Sequence, residues 1–224
     1  MAGKSSGEHE YALLVAELHA LDEDIRTARA KASQNVRGTG LHLHAGRDAP
    51  PAPSGERIQL ADGAEIVIRP IEPGDRDELA AGFEHLSAMS RLRRFGERVE
   101  HVTSRRLSEL TEVDHESHEA MIAFAGAGGE CIGVARFVRA EDDPAEADFT
   151  CTVADRWQAR GVGTALVERL ATRARAVGVE RFTTVILVGN EPARRLVRRV
   201  ARQVSEHRNA GMVEIVGVPR DTAS

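Results

Sequence analysis

The segment Gln158–Thr164, with the sequence QARGVGT, constrains this chain more than any other. It follows an apolar run at residues 149–153 that predicts a strand, and it precedes a helical pattern at residues 165–177. A helix that begins just after a strand and a glycine-containing turn leaves its first N–H groups unpaired and places the positive end of its dipole there. Helix ends of this kind bind anions. The order of strand, turn and helix therefore predicts an α/β protein with a phosphate site at this turn.

The residue types within the turn favour a phosphate or pyrophosphate ligand. Gly161 and Gly163 have no Cβ atom, so a phosphate could approach the backbone, and Arg160 would supply a planar cation. A P-loop is excluded because no Lys follows Gly163, and a Rossmann fingerprint is excluded because Leu166 stands where a third Gly or Ala is required. The remaining pattern, Gln/Arg-x-x-Gly-x-Gly/Ala, fits from Gln158 onward. It resembles the acyl-coenzyme A (acyl-CoA) loop of the GNAT family of N-acetyltransferases.

The length and charge of the chain narrow the classes of protein that it can belong to. The chain has 224 residues and a net charge of −5, which fits one domain with an extension and does not favour a nucleic-acid partner. No apolar run approaches the ~20 residues of a membrane span, and no apolar signal region is visible, so a cytoplasmic protein without a membrane partner is predicted. Cys131 and Cys151 lie in apolar, strand-like runs and are predicted to be thiols rather than a disulfide.

An N-terminal helical arm (1–33) and a flexible linker (34–57) precede the predicted acyl-CoA domain (58–220). Apolar residues recur with 3,4 spacing from Tyr11 to Ala32, which predicts a helix with a short coiled-coil seam. The seam could join two copies in a homodimer, or it could pack on its own domain. Gly and Pro residues punctuate the linker, and a segment of that composition is flexible.

Within the domain, strand and helix patterns alternate in an order that resembles the acetyltransferase fold. The predicted fold class is α/β, with a mixed, mostly antiparallel central sheet and flanking helices, preceded by the N-terminal helix. The predicted elements in chain order are a strand at 64–69, helices at 76–86, 90–95 and 104–113, strands at 119–125, 131–138 and 147–153, a helix at 165–177, a strand at 182–188, a helix at 191–204, and a final hairpin of 205–208 with 212–218.

The resemblance implies an acyl-CoA cleft between two strands. The strand at 149–153 would splay away from the strand at 182–188, so that backbone groups near Val153 could pair with the pantetheine arm as an added strand does. The cofactor-binding residues that the resemblance implies are Val153, Gln158, Arg160, Gly161, Val162, Gly163, Thr164 and Asn190.

Asp148 is the candidate catalytic base. Members of the family often carry a carboxylate early on the strand before the phosphate loop, and Asp148 stands ten residues before Gln158. Glu146 would lie on the same face of the strand. Asp148 could instead only keep the strand end soluble. The tyrosine acid that the family often uses is missing, because Val197 stands at its position and Tyr11 is the only tyrosine of the chain.

Two charged segments remain open to more than one interpretation. The histidines of the segment from Asp114 to His118 are three residues apart at a strand entry, unlike the helical HExxH metal site, so no metal is predicted. A basic run on the last predicted helix could be a solvated face, or it could attract the 3′-phosphate of coenzyme A. This run consists of Arg194, Arg195, Arg198, Arg199 and Arg202.

The sequence as a whole predicts an N-acetyltransferase that moves an acetyl group from acetyl-CoA, its co-substrate, to an amine. Ser87–Phe95 together with Leu110–Asp114 resembles the subgroup that holds bacterial protein-lysine acetyltransferases, which implies a protein lysine as the acceptor. A small amine is the alternative acceptor, and a non-catalytic acyl-CoA-binding regulatory module is the alternative function. The acidic turn Glu141–Asp143 could attract a cationic acceptor or be an ordinary solvated turn.

Overall fold

The computed structural model describes residues 55–95, 99–126, 129–209 and 211–220 of the chain. The predicted arm, 1–33, and nearly all of the predicted linker lie outside the described residues, so both stay predictions.

The described residues form eight strands and five α-helices. In chain order these are β1 (Glu56–Gln59), β2 (Glu65–Pro70), α1 (Arg76–Glu84), α2 (Ala88–Phe95), α3 (Ser104–Thr111), β3 (His118–Ala125), β4 (Glu130–Arg139), β5 (Glu146–Val153), α4 (Val162–Ala176), β6 (Arg181–Leu187), α5 (Glu191–Val200), β7 (Ala201–Asn209) and β8 (Met212–Pro219).

All eight strands belong to one sheet, in the order β1-β2-β3-β4-β5-β6-β8-β7. Every neighbouring pair runs antiparallel except β5 and β6, which run parallel. The parallel pair arises where α4 connects β5 to β6, since parallel neighbours need a crossover connection. The predicted fold class, a mixed and mostly antiparallel sheet with flanking helices, is confirmed for the described residues.

Helices cover both faces of the sheet, and the alternation of side chains along the strands builds a core on each side. On one face, Leu166 and Leu170 of α4 are fully buried in a cluster that contains Ile68 and Phe137. On the other face, a smaller cluster that includes Ile122 packs against side chains contributed by the segment that holds α1 and α3. The sheet is therefore the middle layer of a three-layer structure.

The sequence-based prediction missed one strand and extended one helix too far, apart from shifts of up to three residues at other element ends. β1 was missed, since its four residues ERIQ are nearly all exposed and lack an alternating apolar pattern. It begins at Glu56, inside the predicted linker, and pairs with β2 at the edge of the sheet. α5 ends at Val200 rather than at residue 204, because Ala201 turns to an extended conformation and pairs with Pro219 of β8. Val204 continues the spacing of the apolar residues, and this misled the helix prediction.

The two cysteines are free thiols, as predicted. Cys131 is buried and Cys151 is half-buried. None of the helices that the structure describes has the length and apolar character that crossing a membrane would require.

The aromatic centre of the larger core yields a stability prediction. Phe137 is fully buried, and its ring centroid lies 6.3 Å from that of Phe182. Replacing a buried Phe by Ala removes apolar contacts and leaves a cavity, so Phe137→Ala should lower the free energy of unfolding by about 3–5 kcal/mol. The next residue, Val138, is 47% exposed, so Val138→Ala should change it by about 0.5 kcal/mol or less. Urea denaturation of both variants tests this, and equal losses would contradict the assignment of Phe137 to the core.

Candidate functional site

The parallel strands β5 and β6 pair only at their beginnings. Their ladder joins Glu146 to Arg181, Ala147 to Phe182 and Asp148 to Thr183, and it stops there. Beyond this point the strands separate, as the resemblance implied, and residues 149–153 and 184–186 line opposite walls of a cleft of about 730 Å³.

Where β5 and β6 are separated from each other, each is held in the sheet by its other neighbouring strand. β5 pairs with β4 from Ala147 to Val153, and β6 pairs with β8 from Phe182 to Leu187. The facing edges of β5 and β6 are therefore exposed to the cleft while each strand stays within the sheet. An open edge of this kind presents backbone N–H and C=O groups to a ligand.

The N-terminus of α4 lies at this cleft. Gly161 is its N-cap residue, with a left-handed φ of 102°, and no side chain caps the helix. The first backbone hydrogen bond of the helix runs from the Ala165 N–H to the Gly161 carbonyl, at 3.0 Å, so the N–H groups before Ala165 have no partner of this kind. Gly161, Gly163 and Thr164 line the cleft. The arrangement places at the cleft an uncapped helix N-terminus, a feature that can bind anions, and the phosphate site itself stays a prediction.

Gly163 sits where α4 approaches α5 and β5 closely. A Cβ atom at this position would lie 3.4 Å from Leu196 Cδ2 and 3.6 Å from Val153 Cγ2. Alanine would be tolerated there at van der Waals distance, but a longer side chain would have to extend into the cleft.

Asp155 and Gln158 tie the turn before α4 to the first turn of α2. The Asp155 carboxylate accepts hydrogen bonds from the Ser87 N–H (2.8 Å), the Ser87 hydroxyl (2.7 Å) and the Ser90 hydroxyl (2.9 Å). Burial opposes the charged form, but these hydrogen bonds outweigh it and lower the pKa of Asp155. The Gln158 side-chain amide donates to the Val153 carbonyl (3.0 Å) and to the Ser90 hydroxyl (3.2 Å). Sequence analysis gave Asp155 no role, because its partners lie in a distant part of the chain.

Two of the residues predicted at the acyl-CoA site do not line the cleft. The Arg160 guanidinium donates to Asp62 at 2.5 Å and stacks on Trp157, 4.1 Å from the ring centroid. Val162 is fully buried in the core. Val153, Gln158, Gly161, Gly163, Thr164 and Asn190 do line the cleft.

Asn190 lies at the start of α5. It is buried, and its side-chain oxygen accepts a hydrogen bond of 3.4 Å from the Ala193 N–H, which makes it the N-cap of the helix. One side of the same residue lines the cleft. Asn190 thus has a structural role in addition to the ligand contact that the resemblance implies.

Asp148 occupies the point where β5 and β6 part. No group of the described residues forms a hydrogen bond or an ion pair with its carboxylate. Desolvation by the surrounding protein raises the pKa of Asp148 to about 6, against the opposing effect of Arg94. Glu146, by contrast, accepts a hydrogen bond from the Thr183 hydroxyl at 2.7 Å and pairs with Arg181. Of these two carboxylates of β5, Glu146 has side-chain partners, and among the described residues Asp148 has none.

Four arginines of the basic run lie on α5 and divide between the cleft and the surface, whereas Arg202 lies on β7, beyond the end of the helix. Arg194 and Arg198 pair with Glu206 of β7. Arg195 and Arg199 line the cleft, and among the residues described neither has a carboxylate partner. The run is therefore in part a paired surface and in part a source of positive charge at the cleft.

The histidines considered for a metal site have other partners. His115 Nδ1 lies 2.8 Å from the Glu119 carboxylate, and His118 Nε2 lies 3.2 Å from the Arg136 guanidinium. Across the ranges that the structure covers, no group of three or more His, Cys, Asp or Glu side chains is placed to hold a metal ion.

Comparison with known proteins identifies related sequences and structures. The model of the acetyltransferase (GNAT) family matches residues 86–201. Acetyltransferase Pat of Mycolicibacterium smegmatis is 34% identical over 166 residues, which are 74% of this chain and 50% of that protein. The chain thus spans half the length of this relative.

Two solved structures share the fold and part of the sequence. The GNAT domain of PAT from S. lividans superposes with a TM-score of 0.67 at 26% identity, over 73% of this chain and 96% of that domain. A cAMP-binding acyltransferase from Mycobacterium smegmatis superposes with a TM-score of 0.54 at 30% identity, over 75% of this chain and 48% of that one.

The hydrogen bonds that Asp155 accepts from Ser87 and Ser90 yield a second stability prediction. Asp155→Ala removes the acceptor of three hydrogen bonds. Because solvent screens these bonds in part, the change should lower the free energy of unfolding by about 1–2 kcal/mol near pH 7. Because folding lowers the pKa of Asp155 from 3.8, its contribution is present above pH 3.8 and is lost as the pH falls through the folded-state pKa. Chemical denaturation at pH 7 and pH 3 measures the difference. Asp142→Ala, at an exposed turn residue, is the matched control, and an equal loss there would contradict the role of Asp155.

Proposed function

The chain belongs to the acetyltransferase (GNAT) family, and on this premise we propose that it is an acyl-CoA-dependent N-acyltransferase that moves an acetyl group from acetyl-CoA to an amine. The observation that carries the proposal is the cleft between β5 and β6. It brings the uncapped N-terminus of α4 and the open edges of two strands to one space, and Asp148, whose pKa is raised, lies in the last residue pair before these strands part.

The α4 end of the cleft fits the phosphates of coenzyme A. The free N–H groups at the start of α4 suit a pyrophosphate. Arg195 and Arg199 lack carboxylate partners in the described structure and can neutralise a further phosphate. We assign the pyrophosphate to the Gly161–Thr164 turn and the 3′-phosphate to these two arginines. Arg160 would act there only after its guanidinium leaves Asp62.

The open edge of β5 fits the pantetheine arm. An extended chain with amide groups can pair with such an edge as an added strand. Val153 contributes backbone to this wall, and Asn190 lies on the opposite wall, beyond the end of β6. We propose that a backbone N–H near Val153 donates to the thioester oxygen, where negative charge develops during acyl transfer.

Asp148 supplies the proton acceptor. The amine nitrogen attacks the thioester carbon, so that a C–N bond forms and the C–S bond breaks, and the leaving thiolate takes up a proton from solvent. A lysine amine has a pKa of ~10.4 and is almost entirely protonated at neutral pH. A base of pKa about 6 is mostly ionised at pH 7 and can accept this proton, directly or through water.

We further propose that the acceptor is a lysine of a protein. The proposal rests on the sequence resemblance of the α2 and α3 region and on the relation to acetyltransferase Pat. Glu141 and Asp142, in the turn before β5, are exposed, and their negative charges would suit a cationic acceptor.

Acetyl-CoA turnover with a panel of lysine peptides and small amines tests the function as a whole. Free coenzyme A thiol is measured with and without each acceptor, and mass spectrometry locates the acetyl group. Turnover with peptides supports the proposal, and turnover with small amines alone moves the acceptor to that class. Tight binding of acetyl-CoA without turnover of any acceptor would instead indicate a non-catalytic binding module.

Acetyl-CoA binding should depend on Gly163. Gly163→Glu brings a long side chain and a negative charge to the proposed pyrophosphate site and should weaken binding by at least about 100-fold, since like charges repel strongly in a confined cleft. Gly163→Ala adds only a methyl group in ordinary contact and should keep most of the affinity. Ala176→Glu introduces the same charge at the exposed far end of α4 and serves as the control. Titration calorimetry measures all three, and unchanged affinity in a folded Gly163→Glu protein would refute the assignment.

The rate of acyl transfer should follow the ionisation of Asp148. Because the base acts when deprotonated, kcat/KM should fall as the pH drops below about 6, the pKa of Asp148 in the fold. Asp148→Asn should lose this inflection and about 10²-fold of kcat near neutral pH, with a smaller loss at higher pH where the amine deprotonates by itself. Glu146→Gln is the control on the same strand face and should keep the inflection. A wild-type pH profile in Asp148→Asn would exclude this residue as the base.

A further inference from the structure

A second cavity lies beneath α1, α2 and α3, on the face of the sheet to which Asp148 belongs. Its volume is about 70 Å³, and most of its wall is apolar, including Phe83, Leu86 and Leu110. Roughly 10–15 Å³ suffices for one water molecule, so the cavity has room for several non-hydrogen atoms. Thr150 and Thr152 of β5 belong to its wall and also to the wall of the acyl-CoA cleft. The two spaces therefore share this part of β5 as a common wall.

Two arginines line the cavity, and neither has a carboxylate partner among the residues that the structure describes. Arg136 of β4 lies directly opposite Thr150 and is only 7% exposed. It donates to the Leu110 carbonyl at 2.8 Å and lies 3.2 Å from His118, but no carboxylate of the described residues pairs with it. Arg94 of α2 is half-buried, lines both spaces, and contacts the Phe95 ring. Within the same described ranges, no group accepts a hydrogen bond from its guanidinium.

The electrostatic surroundings of these arginines show an excess of positive charge. Burial and the neighbouring Arg94 and Arg106 lower the pKa of Arg136 to about 9. Burial and Arg106 lower the pKa of Arg94 to about 10, and Asp148 offsets this only in part. Burial also lowers the pKa of His118 to about 4, so at neutral pH the histidine is uncharged.

Such an arrangement excludes some ligands and favours others. Cations that are removed from water and only partly compensated are costly, and an anion that enters the cavity would relieve that cost. The same cations repel an ammonium group, so the cavity does not suit a lysine acceptor. It suits a short chain that is apolar along its length and carries a carboxylate at its end, because a guanidinium binds a carboxylate with two parallel hydrogen bonds.

We propose that Arg94 and Arg136 bind the terminal carboxylate of a dicarboxylic acyl group, such as succinyl, carried on coenzyme A. This inference rests on the proposed function and narrows its acyl donor. The transfer chemistry is unchanged: the amine still attacks the thioester carbon, and the terminal carboxylate takes no part in bond making or breaking. Arg94 and Arg136 are specificity-determining residues, whereas Asp148 remains the base.

The test compares two donors of equal chain length. Succinyl-CoA and butyryl-CoA both carry four-carbon acyl groups and differ at the chain end, where one has a carboxylate and the other a methyl group. Calorimetry measures their affinities for the full chain without any acceptor, and release of free thiol with an accepted amine gives kcat/KM. The variants are Arg94→Met and Arg136→Met, and Arg208→Met, at an exposed residue of β7, is the control. Thermal unfolding verifies that each variant is folded.

The expected result is a preference for succinyl-CoA over butyryl-CoA of about tenfold or more, which is the effect of one good charge-assisted contact. Either arginine variant should reduce this ratio to below about threefold, and Arg208→Met should preserve it. If Arg136→Met does not fold, Arg94→Met alone decides the outcome.

Three outcomes would overturn the inference in ways that can be told apart. Equal affinity of the wild type for both donors, together with acetyl transfer, refutes the carboxylate site and leaves the proposed function intact. With acetyl-CoA as donor, glutamate is also tested as a small-amine acceptor. If the two variants lose turnover of glutamate but keep turnover of lysine peptides, the arginines bind the carboxylate of an acceptor. Absence of both binding and turnover with every coenzyme A thioester would refute the proposed function itself.

Discussion

The brief parallel contact between β5 and β6 is the constraint on which the rest of the site depends. Three residue pairs fix the closed end of the cleft, and separate antiparallel partners hold the strands once they part. This divergence leaves backbone groups without neighbours inside a sheet, which is costly unless solvent or a ligand satisfies them. It also brings the first turn of α4 and the side of α5 to the two walls of one space. If β5 and β6 were paired along their whole length, there would be no cleft between them.

Charge is distributed unevenly along this space, and the distribution follows from local structure. The helix end and Arg195 with Arg199 make one region of the cleft positive, whereas Glu146 and Asp148 lie in the short ladder from which the strands part. Hydrogen bonds determine which acidic groups remain available. Glu146 accepts a hydrogen bond from Thr183 and Asp155 accepts hydrogen bonds from two serines, whereas Asp148 has no such partner among the described residues.

Much of the fold could be predicted from the sequence, because the elements that were predicted well have strong local signals. Strands β3, β4 and β5 are apolar runs separated by turn residues, and α4 has an apolar stripe and ends before Gly178. Elements with weak signals were missed or misjudged. β1 is polar and gains its stability from pairing with β2, and α5 gives way to β7 because β8 offers a partner at Ala201. Pairing between distant segments decides both cases, and local periodicity does not record it.

The sequence by itself determined the family, the turn before α4 and the candidate carboxylate at Asp148, since each depends on residue types at fixed short spacings. Only the tertiary structure decided which of these side chains meet. It placed Gln158 and Asn190 on the cleft, turned Arg160 to Asp62, and brought Arg94 of α2 beside Arg136 of β4. These contacts join residues that are far apart in the sequence and depend on how the sheet and helices pack. The local pattern of the sequence does not contain that information.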